Sequence, residues 1–379
     1  MSVFSIEVGL VLLGLVMLCL EAFVPTISRR TLGTISMVGV AVAFVAFIFV
    51  SKSPESLPAF VQPYHQLDSL ALFYKGFSLV ITFLVLWMTL VCAPYLTKFT
   101  LEGRIAELLS LPLLVCVGMM WMASARDLVT TFVALELVTV SFYVLVAFAR
   151  KSVLSLEAGV KYLILAALST GVLIYGIAWV YGVTGQLSFD GIAAAITDPA
   201  VPKAPLLLGA AFLLAGIGFK VAAAPFQIWV PDVYQGAPMP VTVFLSVGSK
   251  AAGFVVLTRV VEAFLVKGSI IAAEVQTLLL VLGSLTVLLG SLPALGQVSV
   301  KRMLAYSSIS HAGYLLLALA CHASPRFDLA PGGVVAFYLA TYLPMTVLGF
   351  LALALMRVND HSEYLRDFSG LAKRSPLLA

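Results

Sequence analysis

Apolar runs of about 20 residues recur along almost the whole chain, and no other feature constrains its folding as much. Eleven can be delimited, at 3–25, 31–50, 69–92, 106–124, 127–149, 159–181, 204–229, 239–262, 270–292, 302–321 and 333–356. Each is long enough to cross roughly 30 Å of hydrocarbon as an α-helix, which satisfies its own backbone polar groups there. The gaps between them are short and polar. With 61% hydrophobic residues against the roughly 45–50% of soluble domains, water cannot be the solvent for most of this surface. The predicted fold is all-α, a polytopic transmembrane helix bundle. The first run lacks a basic leader, carries Glu7 and is long enough to span, so it is kept as a helix of the mature protein.

The placement of cations orients the bundle, because cytoplasmic loops accumulate Lys and Arg. One set of alternate gaps holds Arg29, Arg30, Lys98, Arg104, Arg150, Lys151, Lys301, Arg302, Arg357, Arg366, Lys373 and Arg374, whereas the opposite set holds Lys52, Arg126, Lys203, Lys267 and Arg326. A bias of roughly two to one, sustained over all the alternations, places the N-terminus outside and the C-terminus inside. The net charge of +4 is scattered and forms no basic stripe, so nucleic acid is excluded as a partner. Cys19, Cys92, Cys116 and Cys321 lie in or beside apolar runs without a CxxC pair and read as small buried hydrophobes.

A proline-bearing gap, residues 51–67, separates two N-terminal helices from the rest, and a second long outer gap covers 182–203. Neither is large enough for a separate soluble domain. A faint echo pairs Tyr143-Val-Leu-Val-Ala-Phe-Ala with Tyr314-Leu-Leu-Leu-Ala-Leu-Ala, as two repeats of opposite orientation would. The expected organisation is therefore residues 1–100 as N-terminal transmembrane helices 1–3, 106–262 as a first five-helix repeat and 270–379 as a second, incomplete one. Within the last, 360–374 mixes charges with Leu365, Phe368 and Leu371 as a surface helix does. The closing Ser375-Pro-Leu-Leu-Ala reads as the start of another apolar segment, which implies an incomplete chain.

No Walker A sequence, dinucleotide glycine fingerprint, HExxH or Cys cluster is present, so no cofactor is expected to be bound by this chain. The informative residues are ionisable groups deep inside apolar runs, each costly without a partner or water. Glu136 falls midway along 127–149, Lys220 within 204–229 and Lys250 at the centre of 239–262. A lysine taken into a low dielectric holds its proton less firmly, and a nearby carboxylate opposes that loss. A Glu and Lys pair whose separation changes can thus load and release a proton, although a static ion pair that fixes packing fits the same residues. Pro225 cannot donate to the carbonyl of Val221, and Gly216 and Gly218 loosen the preceding turn, so the helix is expected to break beside Lys220 or to kink there. His311, among the hydroxyls of Ser307, Ser308 and Ser310, suits a proton relay or a hydrogen-bonded packing role. Lys161, four residues after Glu157, is either a surface ion pair or a proton entry. Lys75 and Arg259 lie near the outer ends of their runs and are expected to snorkel.

The stretch from Gly218-Phe-Lys220-Val-Ala-Ala-Ala-Pro225 through Trp229-Val-Pro-Asp232-Val-Tyr-Gln-Gly236-Ala-Pro to Ser-Val-Gly-Ser-Lys250-Ala-Ala-Gly resembles the subunit-N family of proton-pumping NADH:quinone oxidoreductases, the antiporter-like membrane chains of respiratory complex I. The likeness continues through Ser155-Leu-Glu157-Ala-Gly-Val-Lys161-Tyr, the Lys301 to Tyr314 segment and Gly370-Leu-Ala-Lys-Arg-Ser-Pro-Leu. It implies about fourteen helices, of which eleven are visible here, with inverted five-helix repeats related to Na⁺/H⁺ antiporter subunits. It also implies proton translocation through Glu136, Lys220, Lys250, Lys161 and His311, within an oxidoreductase to which this chain contributes no redox centre. NADH, FMN, iron–sulfur clusters and quinone are expected elsewhere in the complex. The expected partners are other membrane-arm subunits, another antiporter-like subunit among them, in a bacterial inner membrane. Gln227 stands where the family often has histidine, and the family's second broken helix with its own lysine has no counterpart before Ala379. A monovalent cation/proton antiporter subunit is the alternative reading. A secondary solute transporter is a third, disfavoured because a line of ionisable residues takes the place of a recognition pocket.

Overall fold

The computed structural model describes residues 2–24, 27–52, 57–100, 105–321, 331–360 and 363–376. Arg104 and Arg326, used above for orientation, lie outside them, as does the end of the chain. Among the described residues the regular elements are helical, and eleven of them are long and apolar enough to cross a membrane, in the positions expected. The first six spanning or loop elements in order are α1 (Val3–Phe23), α2 (Arg29–Lys52), α3 (Ser69–Leu96), α4 (Ala106–Ser124), α5 (Leu128–Val146) and α6 (Val153–Thr184). A short α7 (Phe189–Ala195) lies in the long outer loop. The next span consists of α8 (Lys203–Val221) and α9 (Val230–Gly236), and the one after it of α10 (Met239–Val243) and α11 (Lys250–Phe264). Then come α12 (Ala272–Ala294), α13 (Val300–Ala320), α14 (Pro331–Asp360) and α15 (Leu371–Arg374).

The span 239–264 is buried along its entire apolar stretch, packed against α3, α4, α5, α8 and α14. A helix apolar on every side is stable only when so enclosed. Small residues let its neighbours approach: a side-chain carbon on Gly253 would lie 2.9 Å from Val221 of α8, and one on Gly248 would lie 3.1 Å from Met119 of α4. The same device joins α6 to α8, where added carbons on Gly176 and Gly216 would meet the opposite helix at 2.6 Å. Gly216 therefore does not loosen its turn, as its residue type suggested. It permits a close crossing, with Ser169 Oγ donating to its carbonyl at 3.0 Å.

Lys75 and Arg259 do not snorkel. Lys75 is buried and forms an ion pair with Glu7 of α1, and Trp121 Nε1 of α4 donates to the other oxygen of Glu7 at 3.0 Å. Arg259 is 5% exposed; its guanidinium makes a two-pronged contact with Asp68, the N-cap of α3, at 3.0 Å each and donates to the carbonyl of Ala123. Glu7 meets Lys75 inside the bundle, whereas the buried Arg259 is met by the partly exposed Asp68 at the start of α3, so neither cation has to reach the headgroup region alone. Cys92 and Cys116 are buried as expected, but Cys19 and Cys321 are exposed on the bundle's surface. The segment after α14 is two short turns, Leu365–Phe368 and α15, rather than one surface helix, because Val300 and Leu365 exchange backbone bonds with Glu363 and Val298 and hold it against the start of α13.

Gly216→Val is expected to lower the yield of folded, detergent-extracted protein and its thermal midpoint, by about 1–3 kcal/mol of overpacking. Gly171→Ala, where the new methyl meets nothing within 4 Å, should leave both unchanged.

Candidate functional site

The break in the seventh span begins at Ala222, two residues after Lys220. Ala222 adopts a left-handed conformation (φ 65°, ψ 38°), Ala223 N donates to the Gly218 carbonyl at 2.8 Å, and Phe226–Trp229 continues as a single 3₁₀ turn before α9. Pro225, with no N–H to give, enforces the stop. The freed groups find protein partners: Trp229 Nε1 donates to the Phe219 carbonyl at 3.1 Å, and Ala224 N donates to Thr286 Oγ1 of α12 at 2.8 Å. Gln227 Oε1, at the position where histidine was noted as an alternative, is buried without a hydrogen-bond partner.

Lys220 occupies the last turn of α8, at the negative end of its dipole, and is 6% exposed. Its ammonium donates to Thr139 Oγ1 at 2.5 Å and lies 5.6 Å from the Phe219 ring. Glu136, one turn before Thr139 on α5, is only half-buried and accepts from Thr170 Oγ1 of α6 at 2.7 Å. The two residues expected to pair therefore face the same junction of α5, α6 and α8 but form no direct ion pair; a hydroxyl lies at each of them instead. A static Glu136–Lys220 bridge is overturned by this geometry, since the lysine's close partner is neutral.

Lys250 opens α11 directly after a π-helical turn, Phe244–Ser249. It is 2% exposed and donates to the carbonyl and hydroxyl of Ser308 on α13, at 2.6 and 2.8 Å, with no carboxylate in contact. Gly253, one turn further on, packs against the Lys220 backbone and so brings the two lysine-bearing helices together.

His311 follows Ser308 by one turn. Its partners are not the neighbouring serines: Nδ1 is 2.5 Å from the Tyr338 hydroxyl of α14, and its ring lies 5.1 Å from that of Tyr342. Tyr342 in turn shares a 3.0 Å hydrogen bond with Ser246 on the π turn. Ser308 accepts from Lys250 and Ser310 meets Ser291, so these hydroxyls are engaged by other helices and α14 supplies the partner of the imidazole.

On the side where Lys and Arg accumulate, Lys161 meets both Glu157 and Asp232 at 2.7 Å, and the second oxygen of Asp232 accepts from Arg302 at 2.6 Å. These groups line a cleft of about 140 Å³ with Gln235 and Gly236. Lys301, counted among loop cations above, is fully buried and donates to the carbonyls of Gln235 and Ala237 at 3.1 and 2.6 Å. Thr139, Thr170, Asp232 and Tyr338 were not singled out from sequence. Asp232, a charge in the gap between the runs 204–229 and 239–262, was the one with a readable signal. Among the described residues no cluster of three or more His, Cys, Asp or Glu is arranged to hold a metal ion.

Buried lysines at irregular turns inside a membrane bundle, each held by a hydroxyl, define a transmembrane protein of the antiporter-like class. Residues 125–379 match the family described as NADH:quinone oxidoreductase/Mrp antiporter, TM, and the chain belongs to it. The NADH-quinone oxidoreductase subunit N of Desulforamulus reducens is 39% identical over 383 residues, covering 100% of this chain and 76% of the relative. A chain of respiratory complex I from Thermus thermophilus superimposes with a TM-score of 0.76 at 30% identity, covering 98% of this chain and 75% of that one. The Mrp complex from Dietzia sp. contains a chain with the same fold, at a TM-score of 0.74 and 23% identity over 98% of this chain and 68% of that chain.

Thr139→Val, which leaves the buried Lys220 ammonium without its acceptor, is expected to lower the thermal midpoint by the equivalent of about 1–3 kcal/mol, whereas adding Lys220→Met should restore most of it. Equal losses in the single and double variants would show that Thr139 acts through packing alone.

Proposed function

We propose that this chain is a proton-translocating membrane subunit of an NADH:quinone oxidoreductase, with Lys220 as the central proton carrier. The observation that supports this best is an ammonium sunk at a helix break, held by the Thr139 hydroxyl and not neutralised by direct contact with Glu136. A lysine locked onto a carboxylate keeps its proton; one whose carboxylate stands a short distance away responds to that carboxylate's charge and position. Two charges roughly 8 Å apart at an effective dielectric of about 20 interact by about 2 kcal/mol, more than enough for a tenfold change in proton occupancy.

In this reading Lys161 receives protons at the inner cleft, and Asp232 and Glu157 hold it there. Glu136 senses events at the edge of the bundle through its half-exposed carboxylate. Lys220 loads or releases in response, and Lys250 and His311 carry the proton onward, with Ser308, Tyr338 and Tyr342 as the hydroxyls between them. The residues 106–262 and 270–379 act as two inverted repeats around this line. The chain lies in a bacterial inner membrane with its N-terminus outside, beside other membrane-arm subunits that include a second antiporter-like chain. It contributes no redox centre; NADH, FMN, iron–sulfur clusters and quinone belong to the rest of the complex.

A monovalent cation/proton antiporter subunit is the second reading, favoured by the shared fold of the Mrp chain. The two separate in one experiment. Complexes carrying Lys220→Ala or Glu136→Ala, reconstituted in vesicles, should keep quinone reduction but lose most of the proton uptake coupled to NADH oxidation. Full uptake in both variants would remove these residues from the path, and uptake that depended on sodium instead of NADH would favour the antiporter.

A further inference from the structure

The polar line described so far ends at the inner side and the bundle's centre, yet a second group of buried charges lies toward the opposite face. Glu7 sits four residues into α1 and Lys75 six residues into α3, about 6–9 Å below the helix starts on the side opposite the Lys- and Arg-rich gaps. Glu7 and Lys75 are 2% and 1% exposed. Both carboxylate oxygens of Glu7 are engaged, one by Lys75 and one by Trp121 Nε1. His65, in the loop that precedes α3, is half-buried; Nδ1 lies 3.0 Å from Ser124 Oγ, and its ring is 6.0 Å from that of Trp121. A bridge between His65 and Ala125 holds this loop over the pair.

Three observations set this group apart from an ordinary clamp. The hydroxyl of Tyr74, the residue that precedes Lys75 on α3 and lies near Arg259, is buried with no protein partner, and buried hydroxyls are normally met by water. Lys75, Ser78 and Thr82 lie on one buried face of α3, a helix that also packs against the π turn before Lys250. Burial and the Lys75 charge, opposed by Glu7 and Asp127, hold the His65 imidazole below its ordinary range, so it is neutral near pH 7 and free to accept a proton. The other charged groups facing this region are the paired Asp68 and Arg259, and Glu262.

We propose that Glu7 and Lys75 form a second proton-exchanging site, reached from the outer surface past His65, which gives the N-terminal helices an outlet of their own. All of these residues precede the family-matched segment 125–379. This inference rests on the proton-translocating function proposed above. At the site a proton passing outward sits on Glu7, weakening its ion pair with Lys75, then passes by way of water to the neutral His65 imidazole, which releases it to water on the outer side and leaves Glu7 ionised again.

The test reads protonation directly. Vesicles holding the intact complex are treated with a membrane-permeant carbodiimide, which adds to a protonated carboxyl, and the Glu7 peptide is analysed by mass spectrometry. Lowering the pH on the outer side by about two units, with the inner side fixed, should raise Glu7 labelling on the order of tenfold, and His65→Leu should blunt that response several-fold. Glu7→Gln, which keeps an acceptor for Trp121 and Lys75, should retain quinone reduction but pump fewer protons per electron. No labelling of Glu7, labelling that follows the inner pH, or full pumping by Glu7→Gln would each overturn the outlet. Lys220→Ala should leave the labelling unchanged, so a failure of the central carrier and a failure of this site are told apart.

Discussion

A helix that stops inside a membrane must return every freed backbone group to a partner, and the rest of this structure depends on how that is done beside Lys220. The indole of Trp229 takes the Phe219 carbonyl, and the hydroxyl of Thr286 takes the Ala224 amide. Two side chains from two elements thereby stabilise a stop that hydrocarbon would otherwise penalise by several kcal/mol. Because these partners are protein groups, the break is rigid, and the ammonium at its end is directed at Thr139 rather than toward lipid. The glycine contacts that seat α8 on α6 fix the same point from behind.

The charges of the bundle obey two rules. Where a cation is buried with a carboxylate in contact, as in Lys75 with Glu7 or Arg259 with Asp68, the pair ties helix ends that lie far apart in sequence. Where it is buried with hydroxyls and carbonyls only, as in Lys220, Lys250 and Lys301, the positive charge depends on neutral dipoles. Such dipoles solvate the charge less completely than a carboxylate does.

Much of this was legible in the sequence. Run length alone gave all eleven spans, since membrane thickness sets a nearly fixed ruler. Pro225 located the break to within a few residues, because its missing N–H acts locally. Partners brought from afar could not be read. Glu7 stood out only as a charge in the first span, and Lys75 and Arg259 were assigned to the surface from their positions near helix ends, since nothing local reveals that α1 and the N-cap of α3 supply carboxylates. His311 was given to its serine neighbours for the same reason, when α14 held its partner. Gly216 shows the converse limit: residue type suggested flexibility, and only the neighbouring Leu173 shows that it is about distance.

The π turn in front of Lys250 has a geometric consequence. Such a turn fits one residue more than an α-helical turn does, so it acts as an angular offset for everything downstream. The half of this span beyond it, down to Arg259 and its grip on Asp68, is indexed to the other half by that single extra residue. If the turn tightened to ordinary α geometry, Lys250 would swing by about 100° and lose Ser308, while the anchored outer end resisted the rotation. In the most enclosed helix of the molecule the register of Lys250 is thus set by a single extra residue.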